Sequence, residues 1–506
     1  MSDLSVIGES VVRPDVLGKV DGTAQYAGDL HLPGMLHAKM KRSTVAHARI
    51  KRIDASKARA YPGVRAVLTH HDVPRVLHYG SPHPRSASLA KDQYILDTKV
   101  RYWGEGIAAV AADSEEIAEE ALDLIEVEYE ELPAAITVEQ ALAPGAPRIH
   151  DLRDDNLVAD PVRIKRGDPE RGFAQADLVV EGTYEMGRPT PAYMEPNCCV
   201  CQWREDHLTI WISTQTPFMV RGSLAEVLGL PLTKVRVVMD HMGGGFGAKQ
   251  DLFQTEFLCA LLARETRRPV RLEFTRKETF LGGRSRHPGT VWLKQGFKKD
   301  GTITAREARV VFNSGAYASH APGVTAVGTA ALTSLYRCDN VLLEGCAVYT
   351  NTPIAGAYRG YGVVQTYYAL DIQMDEAAER LGMDPAQLKL KNAVREGDLS
   401  PSGHPIVGHG LEDCIRRGMQ EVSWSQIRPP KLAGQTPKVG RQAPKVRGWG
   451  MGCEMHGSSA YPGIKEQGNA TVRMNEDGSV QLYTGTTGLG TGAHTALAQI
   501  VAEELG

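Results

Sequence analysis

Along the chain, apolar positions recur at two spacings: alternate residues in short runs, and every third or fourth residue in longer ones. The pattern predicts a mixed α/β (α+β) protein whose strands and helices pack as several successive units. Residues 15–135 read as the first. Strand patterns fall at 23–27, between Gly22 and Gly28, and at 35–41, 64–69 and 106–111. Ser114 is placed to N-cap a helix that sets Ile117, Ala118, Ala121 and Leu122 on one face. Asp113, Glu115 and Glu116 put negative charge where the helix dipole favours it. Residues 124–129 then alternate apolar and acidic, as a half-exposed strand does.

Residues 136–175 hold several prolines and scattered charge, which predicts a linker. A second unit over 176–396 shows strands at 178–184, 208–212, 234–239, 291–297 and 303–312, and helices at 220–228, 252–264 and 364–381. Residues 397–445 are polar, with Pro401, Pro405, Pro429, Pro430, Pro437 and Pro444, and predict a connecting segment. A third unit spans 446–506, with strands at 468–474 and 479–484, a glycine loop, and a helix from His494. One hairpin and one helix leave apolar faces without cover, so this unit is expected to be truncated or completed by another chain.

A length of 506 residues exceeds one compact core and implies two to four domains, about the number expected at this size. The formal net charge of −3 gives no basic surface for nucleic acid or an acidic membrane. No apolar run approaches the ~18 residues a membrane span needs. The opening MSDLSVIGESVVRPD lacks the basic and apolar regions of a signal peptide, so a cytoplasmic location is expected. That compartment argues against disulfides among the eight cysteines. Cys198, Cys199 and Cys201 cluster, but at the wrong spacing for an iron–sulfur set, and read as small residues of a buried strand.

Four segments carry candidate chemistry. Met242-Gly243-Gly244-Gly245-Phe246-Gly247-Ala248-Lys249-Gln250 lies between a strand and a helix, and its glycines can aim backbone N–H groups at an anionic or oxo-rich ligand. Ser213-Thr214-Gln215-Thr216-Pro217 ends a strand, and the Gln215 amide can donate to an oxo group. Ala357-Tyr358-Arg359-Gly360-Tyr361-Gly362 leads into a helix, with the Arg359 fork suited to an oxyanion. Residues 484–495 intersperse Gly485, Gly488, Gly490 and Gly492 with hydroxyls before the last helix. Each has a plain structural alternative: a tight turn, a Gln closing a turn, an Arg stacked on tyrosine, a hairpin connection.

In this order and at these intervals the segments resemble the molybdopterin-binding large subunits of the xanthine dehydrogenase, aldehyde oxidase and carbon monoxide dehydrogenase family. The stretch from Gly18 to Asp29 and that from Val100 to Glu105 resemble the same subunits. The resemblance implies an α/β hammerhead domain at 15–135, a first molybdopterin-binding domain at 176–396, and the start of a second at 446–506. It implies molybdenum held through the dithiolene of molybdopterin, in mononucleotide or cytosine dinucleotide form, with no direct protein ligand to the metal. Gln215, Gly244, Gly245, Phe246, Gly247, Arg359, Gly490, Thr491 and Gly492 would then contact the cofactor, and Gln250 and Tyr361 the substrate. The implied reaction oxidises an N-heteroaromatic, aromatic or aldehyde substrate with oxygen from water. Electrons would leave to iron–sulfur clusters and FAD on a small and a medium partner subunit. A reductive dehydroxylase of the 4-hydroxybenzoyl-CoA reductase type and a non-catalytic cofactor-docking or assembly subunit are the alternatives.

Some positions depart from the family pattern. Gln250 stands where purine-oxidising members have glutamate, and Ala318 near where they place a substrate-binding arginine. Thr491 replaces the usual glutamine of the fourth loop. The family's catalytic glutamate is not assignable to any residue, and is expected on a partner chain or a C-terminal part.

Overall fold

The computed structural model describes residues 4–81, 91–399, 405–427, 449–457 and 468–506. The first region comprises α1 (Val16–Asp21), β1 (Leu36–Arg42), β2 (Ala48–Asp54), α2 (Ser56–Ala60), β3 (Val64–Leu68), β4 (Lys99–Val100), β5 (Gly106–Ala112), α3 (Glu115–Asp123) and β6 (Glu126–Glu131). Ser114 caps α3 as expected, accepting from the Ile117 N–H, and Ala118 and Ala121 are buried. The strand expected at 23–27 does not form. The Asp21 carboxylate takes both the N–H and the hydroxyl of Thr23, at 2.9 and 2.7 Å, and this local turn bends the chain away from any ladder.

The chain continues through α4 (Val138–Leu142), β7 (Val162–Arg166), α5 (Pro169–Ala174), β8 (Leu178–Met186), β9 (Cys198–Arg204), β10 (His207–Ile212), α6 (Pro217–Leu228), β11 (Val235–Val238), α7 (Gln254–Thr266), β12 (Val270–Glu273) and α8 (Arg276–Gly282). Next come β13 (Gly289–Phe297), β14 (Ile303–Gly315), α9 (Ala321–Ala331), β15 (Val341–Tyr349), α10 (Val363–Leu381), α11 (Pro385–Asn392), α12 (Leu411–Glu421), α13 (Trp424–Ile427), β16 (Ala470–Met474), β17 (Val480–Thr484) and α14 (Ala493–Leu505).

The seven-stranded sheet, in the order β11-β10-β9-β12-β1-β5-β3, draws strands from both sides of the segment expected to be a linker. The join is the parallel pair β1–β12, with Leu36 opposite Val270. Helix α7 covers this sheet with Phe257, Leu258 and Leu262, all fully buried among Leu36, Ala109, Cys201 and Ile210. Each such side chain contributes about 1.5–3 kcal/mol by leaving water. Helices α2 and α3 cover the other face of β5 through Ala58, Ala118 and Ala121.

A five-stranded sheet, β7-β15-β14-β13-β8, is covered by α9 and α10 through Val324, Val363, Leu370 and Met374. Residues 136–175 are therefore not only a linker. They supply β7, paired with β15 at the sheet edge, and α5, capped by Asp168. Likewise 397–445 is more than a connection, since α12 buries Ile415 and Trp424 is buried beside it. Pro401, Pro429, Pro430, Pro437 and Pro444 lie outside the described residues. The β16–β17 hairpin and α14 bury no residue, and α14 meets the N-terminal segment through Glu503, which accepts from the N–H groups of Ser5, Val6 and Ile7.

Candidate active site

Strands β10 and β11 are parallel neighbours, with Leu208 opposite Val235, so their carboxyl ends open at the same edge of the sheet. Such an edge is where α/β sheets present loops to ligands. From β10 the chain runs into Ser213-Thr214-Gln215, and from β11 into the glycine loop. The two loops are joined by backbone and hydroxyl bonds. Gln215 N–H donates to Lys249 O at 2.9 Å, and the Thr216 hydroxyl to Gln250 O at 3.0 Å. The Gln215 side-chain oxygen accepts the Gly247 N–H at 2.8 Å. Gln215 is thus oriented by the loop, its amide nitrogen left for another partner.

An ion pair sets the loop's two ends. The Lys249 ammonium, with a fully buried side chain, lies 3.0 Å from Glu195 Oε2 and donates to Ser213 Oγ at 2.6 Å. The same carboxylate oxygen accepts the Gly243 N–H at 2.7 Å. Burial pulls the Lys249 pKa down, and Glu195 works against that pull. Both ends of the loop are therefore tied to one charge pair, worth several kcal/mol if one partner is removed.

Between the ends, glycine is required by space. A Cβ on Gly245 would sit 2.5 Å from Gln215 Oε1, and one on Gly247 3.1 Å from the Ala357 carbonyl, with φ already at +98°. Phe246 takes a positive φ of 52° and is half exposed. Its carbonyl accepts the Arg359 N–H at 2.9 Å, which brings the third motif against the loop. Among the described residues nothing accepts from the N–H groups of Gly244, Gly245 and Phe246. Arg359 itself is exposed, while its carbonyl accepts from Arg286 at 2.6 Å, and Arg286 lies over the Tyr358 ring. Tyr361 is half buried, with a strained φ of 36°.

The fourth motif comes to the same edge. A cavity of about 480 Å³ is lined by Arg13, Lys19, Met242, Gly488, Gly490 and Gly492. A second, of about 470 Å³, is lined by Phe218, Arg221, Arg236 and residues 484–488. His494 lines both. Helix α14 starts at Ala493 with Gly492 as a cap that carries no side chain, so its first N–H groups and dipole add to Arg221 and Arg236 of the second cavity. Thr491 is exposed between the two lining glycines.

The structure therefore gathers Gln215, Gly244–Gly247, Gln250, Arg359, Tyr361 and the 490–492 turn at one end of the sheet. Gln250 is half buried and contacts Thr216 through its carbonyl. Ala318 is buried against Ile149, Ala347 and Tyr349. Two residues on, His320 does reach the site, 2.9 Å from the Tyr361 hydroxyl. Sequence reasoning gave no role to His320, Glu195 or Lys249, because the pairs His320–Tyr361 and Glu195–Lys249 are 41 and 54 residues apart. Cys199 and Cys201 are core residues of β9, as expected, with the thiol of Cys259 within 4.8 Å.

Family models match the same regions. A molybdopterin cofactor-binding domain matches residues 149–393, a second such domain 421–506, and the aldehyde oxidase and xanthine dehydrogenase a/b hammerhead domain 21–133. The chain is 41% identical over 423 residues to the nicotinate dehydrogenase large molybdopterin subunit of Eubacterium barkeri, covering 83% of this chain and 97% of that one. It is 35% identical over 502 residues to the xanthine dehydrogenase molybdenum-binding subunit of Escherichia coli O157:H7, covering 98% of this chain and 65% of the relative. Quinoline 2-oxidoreductase from Pseudomonas putida 86 superposes with a TM-score of 0.86 at 30% identity, over 100% of this chain and 65% of that one. The chain thus spans 64–65% of the length of the Bacillus subtilis and Escherichia coli xanthine dehydrogenase relatives.

Fold and site together define a cofactor-binding chain. The chain belongs to the molybdenum hydroxylase family of xanthine dehydrogenase and aldehyde oxidase, and carries its molybdopterin cofactor-binding domains. The residues present suit that cofactor. The Gly245 and Gly247 cradle admits no Cβ, the N–H groups of Gly244 to Phe246 face no protein acceptor among the described residues, and the cavity lined by Arg221, Arg236 and residues 484–488 suits a phosphate-bearing pterin. No helix among the described residues is long and apolar enough to cross a membrane.

Proposed function

We propose that this chain is the molybdopterin-binding part of a hydroxylase that oxidises an N-heteroaromatic, aromatic or aldehyde substrate with oxygen from water. The carrying observation is that three motifs meet at the Gln215–Gly247 bond, beside three backbone N–H groups with no protein acceptor among the described residues, while the fourth lines cavities with Met242 and Phe218. When bound, the molybdenum centre supplies a two-electron sink and a Lewis acid.

The chain's own residues position the reaction. Gln215, held by the Gly247 N–H, presents its amide nitrogen to the cofactor, and Gly244, Gly245 and Phe246 offer backbone donors. Gly490, Thr491, Gly492 and the start of α14 hold its anionic end, and Arg359 adds an exposed cationic fork at the rim. Tyr361 offers a ring face to a flat substrate, and Gln250 a neutral polar contact in place of a carboxylate. A neutral contact disfavours a purine, whose recognition relies on a charged partner.

The reading includes small iron–sulfur and medium FAD subunits as electron acceptors. It also includes a chain carrying the rest of the cofactor region and the general base. The Eubacterium barkeri relative, itself named a large subunit and matched over 97% of its length, supports such an assembly. A cytoplasmic setting fits eight cysteines that all stand as free thiols.

The test is turnover by the purified complex in ¹⁸O-water, with N-heteroaromatic and aldehyde probes. Label in the hydroxylated product is expected. Product oxygen drawn from dioxygen, or no turnover by a molybdenum-containing complex, would contradict the proposal.

A further inference from the structure

Behind the Tyr361 ring lies a buried chain of polar groups that the cofactor reading does not use. The Tyr361 hydroxyl points inward, 2.9 Å from His320 Nδ1, and the two rings meet edge to face at 5.5 Å. A Cβ on Gly323 would sit 2.6 Å from that hydroxyl, so α9 closes over it at a glycine. His320 Nε2 lies 2.9 Å from Asp251 Oδ1, and both side chains are 1% exposed. Asp251 in turn accepts from Arg284 and from Ser319 at 2.5 Å each. Ser81 Oγ lies 3.3 Å from His320 Nε2, and His287 is the other titratable ring nearby. Burial works against the Asp251 charge, but Arg284 and His320 outweigh it and hold the carboxyl at about 2.

The geometry fixes where the phenol oxygen sits. A carboxylate 2.9 Å from Nε2 keeps the proton on Nε2. Nδ1 then bonds the Tyr361 hydroxyl, accepting from it as a neutral imidazole or donating to it as an imidazolium. Either bond holds the phenol oxygen inward against His320 and Gly323, so the ring is pinned at its hydroxyl end. The backbone at Tyr361 needs such anchoring, since its φ of 36° is a conformation that non-glycine residues rarely adopt.

We propose that His320, held by Asp251, is a positioning residue that fixes the Tyr361 ring as a stacking wall and so selects flat aromatic substrates over small aliphatic aldehydes. This rests on the hydroxylase reading above. Losing the ring's orientation costs the stacking contact and leaves the chemical step untouched. It should therefore raise KM for a flat probe about fivefold, roughly the worth of one oriented aromatic pair.

The experiment uses the purified complex, with quinoline and acetaldehyde as probes, and compares wild type with Tyr361→Phe, His320→Ala and His320→Gln. The glutamine amide spaces an acceptor and a donor much as the imidazole does, and should rescue. Expected are a raised quinoline KM in Tyr361→Phe and His320→Ala, kcat in His320→Ala within about twofold as befits loss of a binding contact, unmoved acetaldehyde KM in His320→Ala, and recovery in His320→Gln. A readout independent of turnover is the Nδ1 resonance of His320 in protein labelled with ¹⁵N-histidine, which should shift in Tyr361→Phe. An unmoved quinoline KM, equal KM rises for both probes, or an unshifted resonance would each overturn the inference alone. No turnover of either probe by wild-type complex containing molybdenum would overturn the hydroxylase reading and this inference with it.

Discussion

At Gly247 a single hydrogen atom in place of a side chain holds two motifs together. Replacing it by alanine forces a Cβ to 3.1 Å from the Ala357 carbonyl at a φ of +98°. The expected cost is about 1–3 kcal/mol, and the Gln215 bond should break with it. Gly247→Ala should therefore lose most bound molybdenum while its melting point falls only modestly. Full molybdenum in a folded variant would show that the cradle is not needed. Lys249→Met should be costlier, about 3–5 kcal/mol in urea unfolding, because Glu195 is left buried without its cation. A loss under 1 kcal/mol, within the range of a surface pair, would mean the ion pair is not the loop's anchor. The glycines were conspicuous in the sequence because runs of glycine are rare and have a direct backbone meaning. Lys249 was visible in its motif but not its role, since Glu195 lies in a segment with no periodicity of its own.

The elements show where sequence periodicity carries and where it stops. Helices α6, α7 and α10 and strands β8, β10, β13 and β14 fall where the apolar spacing predicts them. Strand β7 was hidden in a proline-bearing stretch, since five residues at a sheet edge carry too little alternation to stand out. Helix α9 contains Pro322, Gly323 and Gly328, all poor helix formers, and holds because it packs on β14 and β15. The shared seven-stranded sheet was not legible at all, because the β1–β12 pairing is set by tertiary packing across 234 residues. It makes a test of its own. Leu258→Ala on α7 should cost about 2–5 kcal/mol, and the hammerhead strands β1 and β5 should lose amide protection together with β9 and β12. Loss confined to β9 and β12 would mean that the two parts unfold independently.

Over the whole molecule, buried titratable groups pull stability in opposite directions with pH. Burial holds His287 at about 3 against an ordinary 6.5. Its neutral form is favoured in the folded chain, so its contribution is complete above 6.5 and is lost as pH falls. Burial lifts Glu105 to about 7 from 4.5, despite Arg101 and Tyr317. The folded chain keeps that proton longer, so its contribution is present below 4.5 and is lost as pH rises to about 7. Between 4.5 and 6.5 the two offset, and single substitutions separate them. His287→Leu should gain on wild type by roughly 1.4 kcal/mol per pH unit as pH falls below 6.5, and Glu105→Gln by a similar slope as pH rises above 4.5. Parallel stability curves for wild type and both variants would contradict the burial argument.

The central claim is that this chain, with its partners, holds molybdopterin at the Gln215–Gly247 junction. Its most direct test is the molybdenum content of the complex purified from the native host, set beside the Gly247→Ala variant prepared the same way. The account predicts about one molybdenum per copy of the chain, the stoichiometry of a single cofactor site, and little in the variant. No molybdenum in wild type, from cells shown to make other active molybdoenzymes, would contradict it.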